Sequence, residues 1–568
     1  MAAELLFRSA TVVDGTGADP VVADVLVRDG RVAAVGPDLG RRAREPKVVD
    51  AGGLALMPGI VDLHTHYDAQ VTWDPTCSPS PALGVTTAVL GNCGFGIAPC
   101  PQAHRDTLLR NLSVVEGMDL DALRAGTRWE FEGFGEYMAM LRRLGPSVNV
   151  AVFAGHSVVR TAVMGEAASE RAEPTDAELA AMTRLVREAI DAGAVGFASS
   201  FSPNHSGWQG RPMPSTIATD RELRALVGVL GEAGRGVFMS ATGARATPEY
   251  MEALARDTGR PMFISTVLAM YSDAAPARGL AMYDRCAEAL DRGHEVRIQT
   301  SCQPLTFDFD LLVPYVWFPL PSFAPVKAAG GDADAIARIY ADPSFRERVR
   351  ADLRSPPEGV LFTGDWTQVA IGLATEPNRG LQERTVAELA AEAGRDPLDW
   401  LLDFALSERL ATRLAGRFFN NRDEGVAPLL RHRAGVIALS DAGAHLSYLC
   451  DAGFGLHLLG HWVRETGTFT LQEAVHRLSA QPAALYRIPE RGTIAPGMHA
   501  DLVLFDPARV GISPLRAIDD LPGGARRLVR DPRGVHGTWV NGTRTFDGER
   551  IATPAGPGPG TVLDRFAA

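Results

Sequence analysis

The sequence is short of cysteine, of excess positive charge and of long apolar runs. Six irregularly spaced cysteines in 568 residues do not make a disulfide framework. The opening segment, MAAELLFRSATVVDG, alternates like a strand, and no basic segment leads into an apolar one as in a secretory leader. Both features point to a reducing compartment and a cytoplasmic protein. No stretch of about 18 apolar residues occurs, so no transmembrane helix is expected and no membrane partner. With 56 basic and 68 acidic side chains the net charge is −12. That leaves no basic face for nucleic acid or anionic lipid. The hydrophobic fraction of 46% and charged fraction of 22% are those of an ordinary globular chain. The length corresponds to about three to four domain equivalents.

What stands out is Leu54–Asp68, LALMPGIVDLHTHYD. A turn leads into a short apolar strand that ends in His64 and His66. Alternate residues of a strand share a face, so both imidazoles aim the same way from its C-terminal end, an arrangement suited to a divalent metal. Before it, residues 4–50 read as short strands, with an Asp29-Gly30 hairpin turn between apolar runs. After it, apolar runs alternate with amphipathic stretches of helical length. The runs are Val85–Leu90, Val148–Phe153, Ala194–Ala198, Gly236–Ser240, Pro261–Thr266, His294–Thr300 and Gly435–Leu439. Helices are predicted at about 175–192, opened by Thr175 with Glu178 in a capping-box pattern, and at about 220–233, 248–258 and 283–292.

This rhythm predicts an α/β protein with a (β/α)8 TIM-type barrel over residues 58–482, whose site lies at the C-terminal ends of the strands. His64, His66, Cys93, His156, Ser199 and Asp441 all fall at such ends. Residues 304–400, rich in Pro, Phe and Trp, read as an insertion that either covers the mouth or packs on the outside. Residues 483–568 return to strands, with an Asn541-Gly542 hairpin, and end in a Pro/Gly-rich tail. They are expected to join residues 1–57 in a small β-sandwich built from both chain ends.

PGIVDLHTHYDAQ, GVTTAVLGNCG, SDAGAH and GTIAPGMHADLVLFD together resemble the amidohydrolase superfamily over nearly the whole chain. Asn92-Cys93-Gly94 resembles its N-acyl-D-amino-acid deacylase (D-aminoacylase) branch. The resemblance implies that His64 and His66 hold the more buried metal, that Cys93 is a cysteine ligand, and that Asp441 both touches the metal and moves the proton. It also implies a small-molecule substrate and hydrolysis of a linear amide, with Asp441 as general base and acid. Zinc is the expected divalent metal. The two further histidines of that branch are absent: Ser240, Thr242, Ser265 and Thr266 stand there, and hydroxyls are poor zinc ligands. One ion is therefore expected; a second would need a substitute ligand such as His205. His156 and His445 sit beside matched motifs, as substrate or supporting groups. Arg160 and Arg245 follow predicted strand ends, either as clamps for a substrate carboxylate or as scaffold. A cyclic amidase of the hydantoinase type is the alternative, disfavoured because no identified strand end carries the lysine that such enzymes carbamylate. A specialised or non-hydrolytic enzyme on the same scaffold is a further alternative, kept open by the missing histidines. The oligomeric state is open, a homo-oligomer included.

Overall fold

The computed structural model describes residues 4–567 apart from 42, 44, 204, 244, 266–269, 274, 358–359 and 445–451. Eight short strands form the central sheet: β1 Ile60–Asp62, β2 Val85–Leu90, β3 Asn149–Gly155, β4 Gly196–Ser200, β5 Val237–Ala241, β6 Met262–Ser265, β7 Val296–Thr300 and β8 Gly435–Ile437. They pair in chain order, every pair parallel. The sheet closes into a barrel where the segments after β8 and β1 meet. There Thr65 bridges Ala442, the His66 amide donates to the Ala442 carbonyl at 2.8 Å, and the Asp441 amide to the His64 carbonyl at 3.2 Å.

These strands read as apolar runs because both faces are covered, the inner by opposing strands and the outer by helices. Phe197 stacks on Phe238 with ring centroids 6.0 Å apart, and Tyr486 is buried against Phe153 and Phe263. The helices follow local rules. Asp176–Asp191 has Thr175 and Glu178 in a reciprocal capping box, and Asp220–Ala233 and Pro248–Thr258 begin behind Thr219 and Thr247 caps. The helix expected from residue 283 begins earlier, spanning Pro276–Asp291, because Pro276 fits the first helical turn.

Both chain ends meet in one eight-stranded sheet. Leu502–Phe505 pairs with Ala55–Pro58 on one side and Val535–Val540 on the other. All four of its residues are buried because alternate faces serve two cores. Leu502 and Leu504 pack with Phe7, Val25 and Trp539, while Val503 and Phe505 join the barrel core. The Pro/Gly-rich tail docks beside β3: the Val150 amide donates to Thr561 and the Leu563 amide to Val150.

The insertion is longer than expected. Its sheet consists of Leu305–Asp310, Val369–Leu373 and, between them, Arg413–Phe419, so it runs past residue 400 to Phe419. Trp317, Phe323, Tyr340, Phe345 and Phe362 give it a separate core. Asn420 anchors it beside the C-terminal end of β7, donating to the Ser301 carbonyl at 2.8 Å. Cys77, Cys93, Cys100 and Cys286 are buried thiols. Among the described residues no helix is long and apolar enough to cross a membrane.

Candidate metal centre

Three segments bring their polar groups to one point at the C-terminal end of the barrel. His64 and His66 follow β1, Cys93 lies in the turn after β2, and Asp441 follows β8. The donor atoms of His64, His66 and Cys93 all lie within 4.8 Å of one another. His64 Nε2 is 3.5 Å from Cys93 Sγ and 3.3 Å from Asp441 Oδ1, and His66 Nε2 is 3.5 Å from the same Oδ1. Ligands at about 2.0–2.2 Å from a tetrahedral zinc lie about 3.3–3.5 Å apart, and a thiolate at about 2.3 Å lies about 3.5 Å from an imidazole nitrogen. The observed separations match these edges.

The turns that present the donors are strained. Cys93 has φ +54° and Asp441 φ +48°, both in the left-handed region at a cost of about 1–3 kcal/mol each. Glycines allow their loops to pack tightly enough to hold them. A Cβ on Gly94 would come within 2.8 Å of the Ala198 carbonyl, and one on Gly443 within 2.7 Å of the His66 backbone.

The surroundings preset the imidazoles. His64 Nδ1 faces Gln299 Oε1 at 2.9 Å and Ser265 Oγ at 3.1 Å. The Gln299 amide donates to the Tyr486 hydroxyl at 2.9 Å, which fixes its oxygen toward His64. A protonated Nδ1 leaves the Nε2 lone pair for the shared point. His66 Nδ1 lies 3.1 Å from Glu116 Oε1. Electrostatically the cluster is rich in negative or electron-pair groups. Burial pushes the Cys93 thiol up to about 11, against the pull of His66, and the Glu116 carboxyl up to about 7. Burial disfavours a charged His66, yet Glu116, Asp441 and Cys93 together carry its pKa well above the ordinary value. Two imidazoles, a thiol and a carboxylate with this spacing fit a divalent cation, which would offset their mutual repulsion.

The profile of an amidohydrolase family matches residues 47–299 and 330–546. The chain belongs to the amidohydrolase family. It is 30% identical to an uncharacterized protein of Mycobacterium tuberculosis over 576 residues, covering 96% of this chain and 92% of the relative. It is 29% identical to the N-acyl-D-aspartate deacylase of Alcaligenes xylosoxydans xylosoxydans, covering 99% and 95%. The crystal structure of N-acyl-D-glutamate deacylase from Bordetella bronchiseptica, complexed with zinc and a phosphonate inhibitor, superposes with a TM-score of 0.65 at 27% identity, covering all of both chains.

In this amidohydrolase four of the other residues singled out from the sequence can be placed: His156, Arg160, His205 and Arg245. His156 and Arg160 are fully buried on the helix His156–Met164. His156 bonds Ser199 Oγ through Nδ1 and Glu222 Oε1 through Nε2, both at 2.8 Å, and Arg160 pairs with the other Glu222 oxygen. Their hydrogen-bond partners are internal and tie strands to helices in a sealed knot, although Arg160 Nε has no hydrogen bond among the described residues. His205 bonds Ser200 Oγ at 2.7 Å and sits edge-on to Phe95, 5.1 Å between centroids, outside the group of converging donors. Arg245 donates to the Ala218 carbonyl and lies over the Phe201 ring. His445 and Thr266 lie outside the described residues.

Glu116 and Gln299 escaped the sequence reading. Gln299 carries a signal, a polar side chain near the end of an apolar strand. Glu116 carries a subtler one. It caps the C-terminus of the helix Arg105–Val115, where an acid opposes the helix dipole, so its reason for being there is not local.

Proposed function

We propose that this amidohydrolase hydrolyses the linear amide of an N-acyl-D-amino acid or a similar N-acyl compound, using one divalent ion, zinc by preference. His64, His66, Cys93 and Asp441 would hold it. The observation that carries the reading is the convergence of their donor atoms at 3.3–3.5 Å. A divalent cation there supplies Lewis acidity toward the amide carbonyl and the attacking water. One ion is preferred because the two strand ends where the branch has histidines carry Ser240, Thr242, Ser265 and Thr266, and Ser265 turns its hydroxyl to His64 Nδ1. The acyl-aspartate and acyl-glutamate relatives make acidic D-amino acids the first substrates to try.

Asp441 is the proton carrier. Its side chain is 16% exposed while those of His64 and His66 are 2% and 4% exposed, so it is the member of the cluster that meets solvent. Its carboxylate takes a proton from water as the oxygen bonds to the acyl carbon. It returns that proton to the nitrogen as the carbon–nitrogen bond breaks, leaving a carboxylate and a free amine.

The test is elemental mass spectrometry of protein purified without added metal, followed by assay on N-acetyl-D- and N-acetyl-L-amino acids. About one ion per chain and hydrolysis of a D-series substrate are expected. Asp441→Asn should lower turnover by about 100- to 10,000-fold with the fold intact, the span of general acid–base contributions. Wild-type turnover in that variant would refute the proton-carrier role, and a chain that takes up no metal would refute the metal mechanism.

A further inference from the structure

We propose that Glu116 is a positioning residue of the metal centre, a buried carboxylate that holds His66 as an Nε2 donor. The inference rests on the single-metal reading above. The two imidazoles are supported from behind in different ways. His64 Nδ1 meets a neutral amide and a hydroxyl, Gln299 and Ser265. His66 Nδ1 meets a carboxylate oxygen, Glu116 Oε1, at 3.1 Å. A carboxylate oxygen 3.1 Å from Nδ1, an ion-pair contact rather than an aligned hydrogen bond, electrostatically favours the proton there, which leaves the Nε2 lone pair directed at the point shared with Asp441 and Cys93. It also makes the imidazole a stronger electron-pair donor than its neutral-backed partner.

The helix dipole does not favour a carboxylate where Glu116 stands. This residue closes the helix Arg105–Val115, its amide donating to the Leu112 carbonyl, and a carboxylate at that end opposes the dipole. It is 1% exposed, so it has left water to reach His66. Gly117, with φ +55°, turns the chain away immediately afterwards. Glu116 meets the imidazole at Nδ1, across the ring from Nε2, so it supports the ligand rather than joining the converging set.

The experiment compares wild type, E116Q and E116A. Each is stripped with a chelator and checked for fold by circular dichroism and thermal unfolding. Zinc is then titrated against a chromophoric chelator, and cobalt(II) is added to a second sample for its visible spectrum. E116A should bind zinc about 10- to 100-fold more weakly, the usual effect of losing such a partner. E116Q should lose about tenfold, because it keeps the shape of the side chain beside Nδ1 but removes the charge. The cobalt bands should move in both. Folded variants that bind zinc as tightly as wild type, with its cobalt spectrum, would overturn the proposal. E116Q, the isosteric variant, decides alone if E116A fails to fold. Wild-type protein that takes up no zinc would instead sink the metal centre itself, and this role with it, before any variant is compared.

Discussion

Arg160 offers the sharpest test of a structural assignment, since the sequence also offers it as a clamp for a substrate carboxylate. It is fully buried. One guanidinium nitrogen pairs with Glu222 and also donates to the Ala172 carbonyl at 3.4 Å, and another donates to the Arg171 carbonyl at 2.6 Å. Arg160→Met keeps most of the stem volume and removes the charge. Glu222, itself fully buried, then retains only His156, and two carbonyls lose a donor. Stranding a buried charge in this way costs about 3–5 kcal/mol. Unfolding a barrel of roughly 400 residues releases about 0.8 kcal/mol per kelvin, so the melting point should fall by only about 4–6 °C, and guanidinium titration is the better assay. The deficit should also depend on pH. Burial, chiefly, holds His156 below its ordinary pKa; Glu222 raises it and Arg160 lowers it further. Without Arg160 the imidazole can take a proton on acidification and neutralise Glu222, so the deficit should shrink as the pH falls. A variant whose unfolding curve stays within about 0.5 kcal/mol of wild type while KM rises tenfold or more would refute the sealed-knot assignment.

Two further outcomes are expected. Cys93→Ala should weaken zinc binding by more than about 100-fold, beyond the effect of an outer partner, and chelator competition would read it; unchanged affinity would make Cys93 a packing residue. Glu252 is held by Arg292 through two bonds and by His294 at 2.8 Å, and these, Arg292 first, bring its carboxyl down to about 2. Its folded pKa is below the unfolded value, so its contribution is complete above about pH 4.5 and disappears as the pH falls toward 2. Glu252→Gln should therefore be less stable than wild type at pH 7, with the gap narrowing below pH 4.5; a gap that does not change with pH would count against the clamp.

Much of the barrel was legible because its signals are local. The β2 strand Val85–Leu90 and the helices over 220–233 and 248–258 follow from β-branched runs, threonine caps and apolar periodicity, which act within a few residues. His64, His66, Cys93 and Asp441 were legible as motifs at strand ends. Their meeting was implied by the family resemblance and not by any local signal. Cys93 and Asp441 are separated by most of the chain, and only closure of β8 against β1 brings Asp441 to His64 and His66. The extent of the insertion also escaped, because Arg413–Phe419 belongs to it through pairing with strands far away in sequence. The same holds for the polar residues. From sequence, His156, Arg160 and His205 differ little from His64, since each follows an apolar run. Burial sorts them. His156 and Arg160 are consumed by Glu222, which arrives from a helix more than sixty residues on, whereas Glu116, marked in its own segment only by its place against the helix dipole, reaches His66. The sequence by itself determined which elements form and which chemical groups stand at strand ends. The tertiary structure decided which of those groups share a site, because ligation and ion pairing depend on distances of a few ångströms between residues that local propensity cannot relate.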